Sequence, residues 1–564
     1  IDETLAWEPE VQNMIARIVT KAYRGPDSEE DKWTRTMERL KRYLLDETNR
    51  RKKKRKEKAT RQREQLKLIA RRMTKSPTKR LLEVEKELKA EIFALEHPET
   101  ETPLTEERAQ RMTDRSDACT QAFFKTYKTL GKQQWINGVK TAIWKEDGPQ
   151  FKNINGREEC HPEQVPAELT KFYRMLFAPK QTDDDERGNV MAMFRRRRIS
   201  KKTKETLETP LRIEEIVEVM ENLPLGKQAG PDRIPNGIFK CMATVWAPRL
   251  HCLLTEAIAK GSMPTILLEG EISVMYKKNE RNDPRNYRPL TMLQNAYKIY
   301  TRVIARRMKN MVHEFVDSCQ KGFVPDTFIA DATMLLQLTE QYINEDLEEG
   351  ERKGIMIFCD MEKAFDRVSY TFLREGLQAL GFGPYFRSMV NMLYDESNAP
   401  RRRIFANGYY GPWFSIKSGV AQGCPLSPLL FLLVGQALKD LLDSETRIGG
   451  IEVRGRRYKI SQYADDTTLL LGNVREMKLA FKVLERWGKA TGMKENDKKR
   501  EGLAMGTYRY VNMPQNCGIK WAKDGEWVIA LGVPIGNTLD PDTFWKGKLN
   551  AIRDRSKRWL GRWL

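Results

Sequence analysis

Apolar residues near the start of the chain recur at helical spacing. Leu81, Leu82, Val84, Leu88 and Ile92 fall close to one helix face, and the Lys, Glu, Arg and Leu around them are strong helix formers. Residues 1–96 therefore read as a long, partly exposed helical arm. Pro98 and Pro103 break the pattern, so the span from His97 to Thr105 reads as a linker. A helical block resumes with Ala122, Phe123, Phe124 and Tyr127. Asp147-Gly148-Pro149 and Asn155-Gly156 are expected to turn the chain around a short extended piece, and Asp183-Asp184-Asp185 is expected to close the block. A boundary falls near residue 200; from there helical patterning runs to about Gln337, and after Gly354 the apolar runs become short and strand-like. No internal repeat is visible.

Two of these later runs meet carboxylates. Gly354-Ile-Met-Ile-Phe-Cys359-Asp360 has the continuous apolar character of a buried strand, which places Asp360 at its exit. Tyr458-Lys459-Ile460 and Leu469-Leu470-Leu471 are expected to form a hairpin around Ala464-Asp465-Asp466. Adjacent aspartates at a turn cannot both leave water without a cation. Asp360, Asp465 and Asp466 are thus candidate metal ligands and candidate catalytic residues. Hard oxygen donors suit Mg2+, and two such ions about 3.5 to 4 Å apart can activate an attacking oxygen and stabilise a leaving one, which is the chemistry of nucleotidyl transfer.

Between the two acidic sites lies Gly419-Val-Ala-Gln422-Gly423-Cys-Pro-Leu-Ser427-Pro428, followed by Leu429 to Leu433. Ser427 is expected to cap the helix with Pro428 in its first turn, so that a rigid loop holds Gln422 and Gly423 against a flat base. Upstream, Lys277, Lys278 and Arg288 are cations suited to a triphosphate.

Composition narrows the class. At 564 residues and 65.7 kDa the chain is too long for one core. With 40% hydrophobic residues, 12 Trp and 21 Phe it has material for several, which excludes wholesale disorder. The longest apolar stretch, Pro425 to Leu438, is interrupted by Ser427 and Gln436 and is too short for a membrane span. No secretory signal opens the chain, and its first residue is Ile, so it reads as a piece of something longer. The eight cysteines are scattered without close pairs, which argues against a disulfide framework or zinc ribbon and for a reducing, intracellular setting; His251, Cys252 and Cys241 do not make a convincing zinc set.

Charge adds a partner. The formal charge is +21, and about +14 of it lies between Arg50 and Arg80. The unbroken basic run Arg50, Arg51, Lys52, Lys53, Lys54, Arg55 and Lys56 is expected to repel itself unless an anion is near, and a polyanion such as nucleic acid is the natural partner. A solvated helix face or a nuclear-import address is the alternative, here and at Arg195 to Arg198.

Asp360-Met-Glu-Lys-Ala-Phe365-Asp366, the Ala-Gln-Gly-Cys-Pro-Leu-Ser-Pro loop, Tyr463-Ala-Asp-Asp466 and Asn286-Tyr-Arg-Pro-Leu290 together resemble the reverse transcriptases of LINE-type non-LTR retrotransposons. Gly226-Lys-Gln-Ala-Gly-Pro-Asp232, Gln320-Lys-Gly-Phe323 and Leu531-Gly532-Val-Pro-Ile-Gly536 extend the likeness, which is clearest over residues 220 to 540.

The resemblance implies an α+β right-hand polymerase preceded by a basic helical extension. Its expected parts are an arm (1–100), a helical, tower-like linker (101–200), fingers (201–353), a palm with interleaved fingers elements (354–535) and the start of a thumb (536–564), where Trp559 and Trp563 mark an amphipathic helix. It implies that Asp360, Asp465 and Asp466 hold two Mg2+ ions, with Mn2+ as a substitute. Phe365 becomes a steric gate against a ribose 2′-OH. Arg288 with Lys277 or Lys278 grips the dNTP, Gln422 and Gly423 pack beside the nascent base pair, Lys499 assists the pyrophosphate, and Leu531 and Gly532 form a primer grip. Around Lys499 the chain departs from the family pattern, with Glu495 at a normally apolar position and Arg500 where Thr or Ser is common.

The implied function is RNA-directed DNA synthesis on a DNA 3′-OH by target-primed reverse transcription. Template RNA, primer or target DNA and dNTPs are the partners, no membrane is involved, and an endonuclease domain would lie elsewhere in the same polyprotein. A nuclear setting is expected, or else a cytoplasmic ribonucleoprotein. The alternatives are a host-domesticated reverse transcriptase, an RNA-dependent RNA polymerase, and a catalytically silent nucleic-acid scaffold.

Overall fold

The computed structural model describes residues 1–73, 78–96, 135–145, 148–151, 159–345, 352–515, 517–538 and 540–560. The expected linker at 97–105, the helical block around 122–127, the turn at 155–156 and Trp563 lie outside them. The chain divides into two compact units, one of Ile1–Phe172, Leu211–Val303 and Pro400–Phe414, the other of Tyr173–Pro210, Ile304–Ala399 and Ser415–Leu564. No helix among the described residues is long and apolar enough to cross a membrane.

In the first unit the arm is built of helices Pro9–Ala22, Glu29–Met73 and Lys79–Glu96. The 45-residue middle helix starts with Glu29, Glu30 and Asp31 and ends with Arg71 and Arg72, which complements its dipole. Its first half buries Trp33, Met37, Leu40 and Leu44 along one stripe, with Trp33 edge-on to Trp246 at 6.0 Å.

The same unit contains strands where helical patterning was expected. Glu269–Tyr276 pairs antiparallel with Tyr287–Leu293 and parallel with Arg401–Ala406, which turns back on Tyr409–Tyr410. The strand Glu269–Tyr276 is only half covered, so Gly270 and Ile272 are buried while Glu271 faces Arg403 at 2.5 Å. Gly270 leaves room for the buried Arg402, whose side chain a Cβ would approach to 3.0 Å. Gly148 and Pro149, expected in a turn, instead lie in strand Gly148–Phe151, paired with Ala142–Lys145.

The second unit is built on a five-stranded sheet in the order Ile460–Tyr463, Asp466–Leu471, Lys353–Cys359, Arg500–Gly506, Ile519–Ala522. All pairings are antiparallel except the last. The central strand is covered on both faces, which explains its unbroken apolar run. Met356 and Phe358 join Leu470, Leu503 and Met505 in one cluster, and Ile355 and Ile357 are equally buried. Helices Ser427–Ser444 and Val474–Thr491 also lie in this unit, where the Trp487 indole donates to the Val434 carbonyl at 2.8 Å.

Two local expectations change. Asp183 opens a helix rather than closing a block, since its carboxylate caps Asp184–Phe194 by accepting from the amides of Asp185 and Glu186. Ser427 is already inside its helix, with Leu426 at the cap and no capping bond, and its hydroxyl is buried without a hydrogen-bond partner among the described residues.

Candidate active site

The acidic residues sit at neighbouring strand ends. Thr467 is in register with Cys359, so Asp360 leaves the end of its strand beside the start of the strand that Asp466 opens. On the other flank, the Asn496 amide donates to the Asp360 carbonyl at 2.8 Å and Met361 bridges to Glu495. Tyr463 pairs with Asp466, so Ala464 and Asp465 form a two-residue hairpin loop. Asp360 and Asp465 are half-buried and Asp466 is exposed. The Lys499 ammonium lies 2.9 Å from Oδ2 of Asp360.

No three His, Cys, Asp or Glu side chains among the described residues already converge as a metal-holding group. The donor chemistry nevertheless fits a divalent cation. The groups at the two strand ends are all carboxylates, the hard-oxygen class such ions prefer, and Lys499 already brings positive charge to Asp360.

Phe365 lies in the short helical turn Ala364–Arg367 beyond Asp360. It stacks on Phe431 with centroids 4.7 Å apart and meets Phe323 edge-on at 6.0 Å. The Val420 amide donates to the Phe365 carbonyl at 2.7 Å, and the Gly419 amide to the Val368 carbonyl at 2.8 Å. Gly419 is required there: its φ is +84°, and a Cβ would come within 2.6 Å of the Asp366 carbonyl oxygen. Gln422 is tied into the same region, its Nε2 donating to Oδ1 of Asp366 at 3.2 Å.

Asp366 itself is fully buried, and burial pushes its carboxyl up to about 7 against the opposing effects of Lys363 and the Gln422 bond. Its Oδ2 has no hydrogen-bond partner among the described residues. In the sequence Asp366 stands inside a motif with no role of its own; a carboxylate directly after an aromatic in an apolar segment was the available signal.

Asp360, Asp465, Asp466, Phe365, Gln422, Gly423 and Lys499 all belong to the second unit. Lys277, Lys278 and Arg288 stand instead on the Glu269–Tyr276/Tyr287–Leu293 hairpin of the first, with Arg288 exposed and paired across from Met275. Leu531 and Gly532 form the tip between strands Val528–Ala530 and Val533–Ile535, at φ of +52° and +87°, the sign pattern of a tight hairpin turn.

The basic run is less bare than its sequence indicates. Arg50 and Arg51 bond Glu47 at 2.8 and 3.0 Å, Arg51 also grips Glu8, and Arg55 reaches Asp2 at 3.4 Å. Lys52, Lys53, Lys54 and Lys56 are exposed. Glu47, three residues before Arg50 and four before Arg51 along the helix, and Glu8 and Asp2 near the chain start supply the anions that the run itself does not contain.

Residues 276–544 match the family described as Reverse transcriptase (RNA-dependent DNA polymerase). The chain is 27% identical over 436 residues to the Transposon TX1 uncharacterized 149 kDa protein of Xenopus laevis, covering 76% of this chain and 31% of that protein. It is 26% identical over 315 residues to the Probable RNA-directed DNA polymerase from transposon BS of Drosophila melanogaster, 53% of this chain and 33% of that one. To the Retrovirus-related Pol polyprotein from type-1 retrotransposable element R2 of Popillia japonica it is 26% identical over 259 residues, 46% of this chain and 35% of the other. The chain thus spans about a third of the length of these relatives.

Proposed function

We propose that this chain, whose residues 276–544 match the reverse transcriptase family, works as a LINE-type non-LTR retrotransposon polymerase that extends a DNA 3′-OH on an RNA template, in the manner of target-primed reverse transcription. The observation that carries this reading is the meeting of Asp360 with the Asp465-Asp466 hairpin at adjacent strand ends, in the same unit as Phe365 and the Gln422 loop.

Asp360 and Asp465, with Asp466 completing the set, would hold divalent metal, Mg2+ by donor type and Mn2+ as substitute, which when bound lowers the barrier to attack and stabilises the departing pyrophosphate. Lys499 holds Asp360 in place by ion pairing. Phe365, fixed by its stack on Phe431, stands as the wall against a 2′-OH. Gln422, tethered to Asp366, lies beside the nascent base pair with Gly423, whose missing side chain leaves space for the base. Arg288 with Lys277 or Lys278 would neutralise the triphosphate, and Leu531 and Gly532 would touch the primer strand. An endonuclease elsewhere in the same polyprotein would supply the nicked DNA, and the nucleus is the setting that such a substrate requires.

The test is extension of a DNA primer on poly(rA) with Mg2+ and dTTP. Activity abolished by Asp465→Ala and strongly favouring dTTP over UTP supports the reading. Extension that survives Asp465→Ala, or that prefers UTP, overturns it.

A further inference from the structure

Gln320, in the segment Gln320-Lys-Gly-Phe323, has no part in the mechanism above, yet it is built against the aspartate hairpin. Gln320 is only 1% exposed, and its amide group is committed to one backbone residue of the hairpin tip. Oε1 accepts from the Ala464 amide at 2.9 Å, and Nε2 donates to the Ala464 carbonyl at 3.2 Å. The same Oε1 also accepts from the Gly322 amide at 2.8 Å.

Ala464 needs such support. Its φ is +57°, while Asp465 beside it is not left-handed. A hairpin loop with positive φ at its first position alone favours glycine there, and an alanine carries a steric penalty. Gln320 also gives each polar atom of its backbone a partner.

The surroundings are shaped to hold this clamp in one place. The Lys321 amide donates to the Gln462 carbonyl and the Gln462 amide to the Cys319 carbonyl, both at 2.9 Å, so the residues around Gln320 pair with the hairpin's first arm. The Asp317 amide donates to Oε1 of Gln436 at 2.7 Å, anchoring the segment to helix Ser427–Ser444. Gly435 on that helix leaves room for the glutamine, since a Cβ there would come within 3.1 Å of its Nε2. A Cβ on Gly322 would lie 2.2 Å from the Ala464 nitrogen, so the segment lies directly on the tip.

The geometry points to Gln320 as a positioning residue, clamping the backbone of Ala464 so that the following Asp465 is presented in a single orientation. This rests on the nucleotidyl-transfer reading, but the clamp is measurable without turnover. Gln320 touches no substrate; it acts through Ala464 on the aspartate that does.

The experiment compares the full chain with Gln320→Met, which keeps length and loses both polar atoms, and Gln320→Glu, which keeps the acceptor. Hydrogen exchange of the Ala464 amide is followed by mass spectrometry, beside single-turnover extension, dNTP and primer–template affinities, and thermal melting. In Gln320→Met the Ala464 amide should exchange about tenfold faster or more. The extension rate at saturating dNTP should fall about 10-fold to 100-fold, with both affinities little changed. Gln320→Glu should retain amide protection and more of the rate than Gln320→Met. Unchanged exchange in Gln320→Met, or a rate loss matched by equal losses in affinity and melting temperature, overturns the clamp. If the wild-type chain extends no primer but exchange still accelerates in Gln320→Met, the clamp stands and the polymerase reading fails.

Discussion

Glu495 and Arg500 grip each other through two hydrogen bonds, at 2.7 and 2.6 Å, with only 8% and 15% of their side chains exposed. These are the two positions where the chain departs from the family pattern, and each departure answers the other. The guanidinium also lies 4.2 Å from the centroid of the Phe481 ring, and the Glu495 backbone bridges to Met361, the residue after Asp360. Removing one partner strands a buried charge. Glu495→Leu or Arg500→Thr alone should therefore cost about 3 to 5 kcal/mol, while the two together should recover most of it. Urea unfolding of the four proteins measures the coupling, and simply additive losses would refute it.

Asp366 makes stability depend on pH in the opposite sense to an ordinary surface carboxylate. Its folded value of about 7 lies above its unfolded one, so the folded state binds the extra proton. The associated stability is complete below the unfolded value and is lost as pH rises through about 7. Asp366→Asn keeps an acceptor for Gln422 and removes the charge. Its melting temperature should exceed that of the wild type at pH 8, with the gap closing by about pH 4. A difference that is constant with pH would show that the carboxyl does not titrate in this range.

What could be read in the sequence depended on how local the cause was. The strand ending at Asp360 was legible because burial on both faces leaves an apolar run that needs no knowledge of its neighbours. The hairpin bearing Asp465 and Asp466 was legible for the same reason, together with its short loop. The strand Glu269–Tyr276 was not. It carries Glu269 and Glu271 on a half-covered face, and the arginines that answer them, Arg401 and Arg403, come more than a hundred residues later. Asp366 and Gln320 were visible only as letters in motifs, because their partners are an amide side chain and a backbone residue brought close by folding. Ser427 looked like a cap by residue type, but the helix had already begun at its own backbone.

Phe365 is held between Phe431 and Phe323, so its position does not depend on the nucleotide. Phe365→Ala should lower discrimination between dTTP and UTP by roughly tenfold or more, through kcat/KM for UTP rather than loss of dTTP use. Phe431→Leu removes the stacked support while leaving the gate residue, and should give a smaller loss of the same kind. Competition assays on one primer–template pair read both. Unchanged discrimination in Phe365→Ala would make this ring a packing residue.

The ion pairs along the arm separate two groups of charge that the sequence shows as one run. Arg50, Arg51 and Arg55 are engaged with Glu47, Glu8 and Asp2, so reversing them would disturb the helix packing as well as any binding of nucleic acid. Lys52, Lys53, Lys54 and Lys56 are exposed, and reversing those four to Glu tests binding alone. For every phosphate left without its lysine, the slope of log affinity against log salt should become shallower by about 0.9 on duplex DNA or about 0.7 on a single strand. The variant should bind more weakly at low salt, approach the wild type at high salt, melt at an unchanged temperature and extend a saturating primer–template at the normal rate. An unaltered salt slope would assign these lysines to solvation or transport instead of nucleic-acid binding.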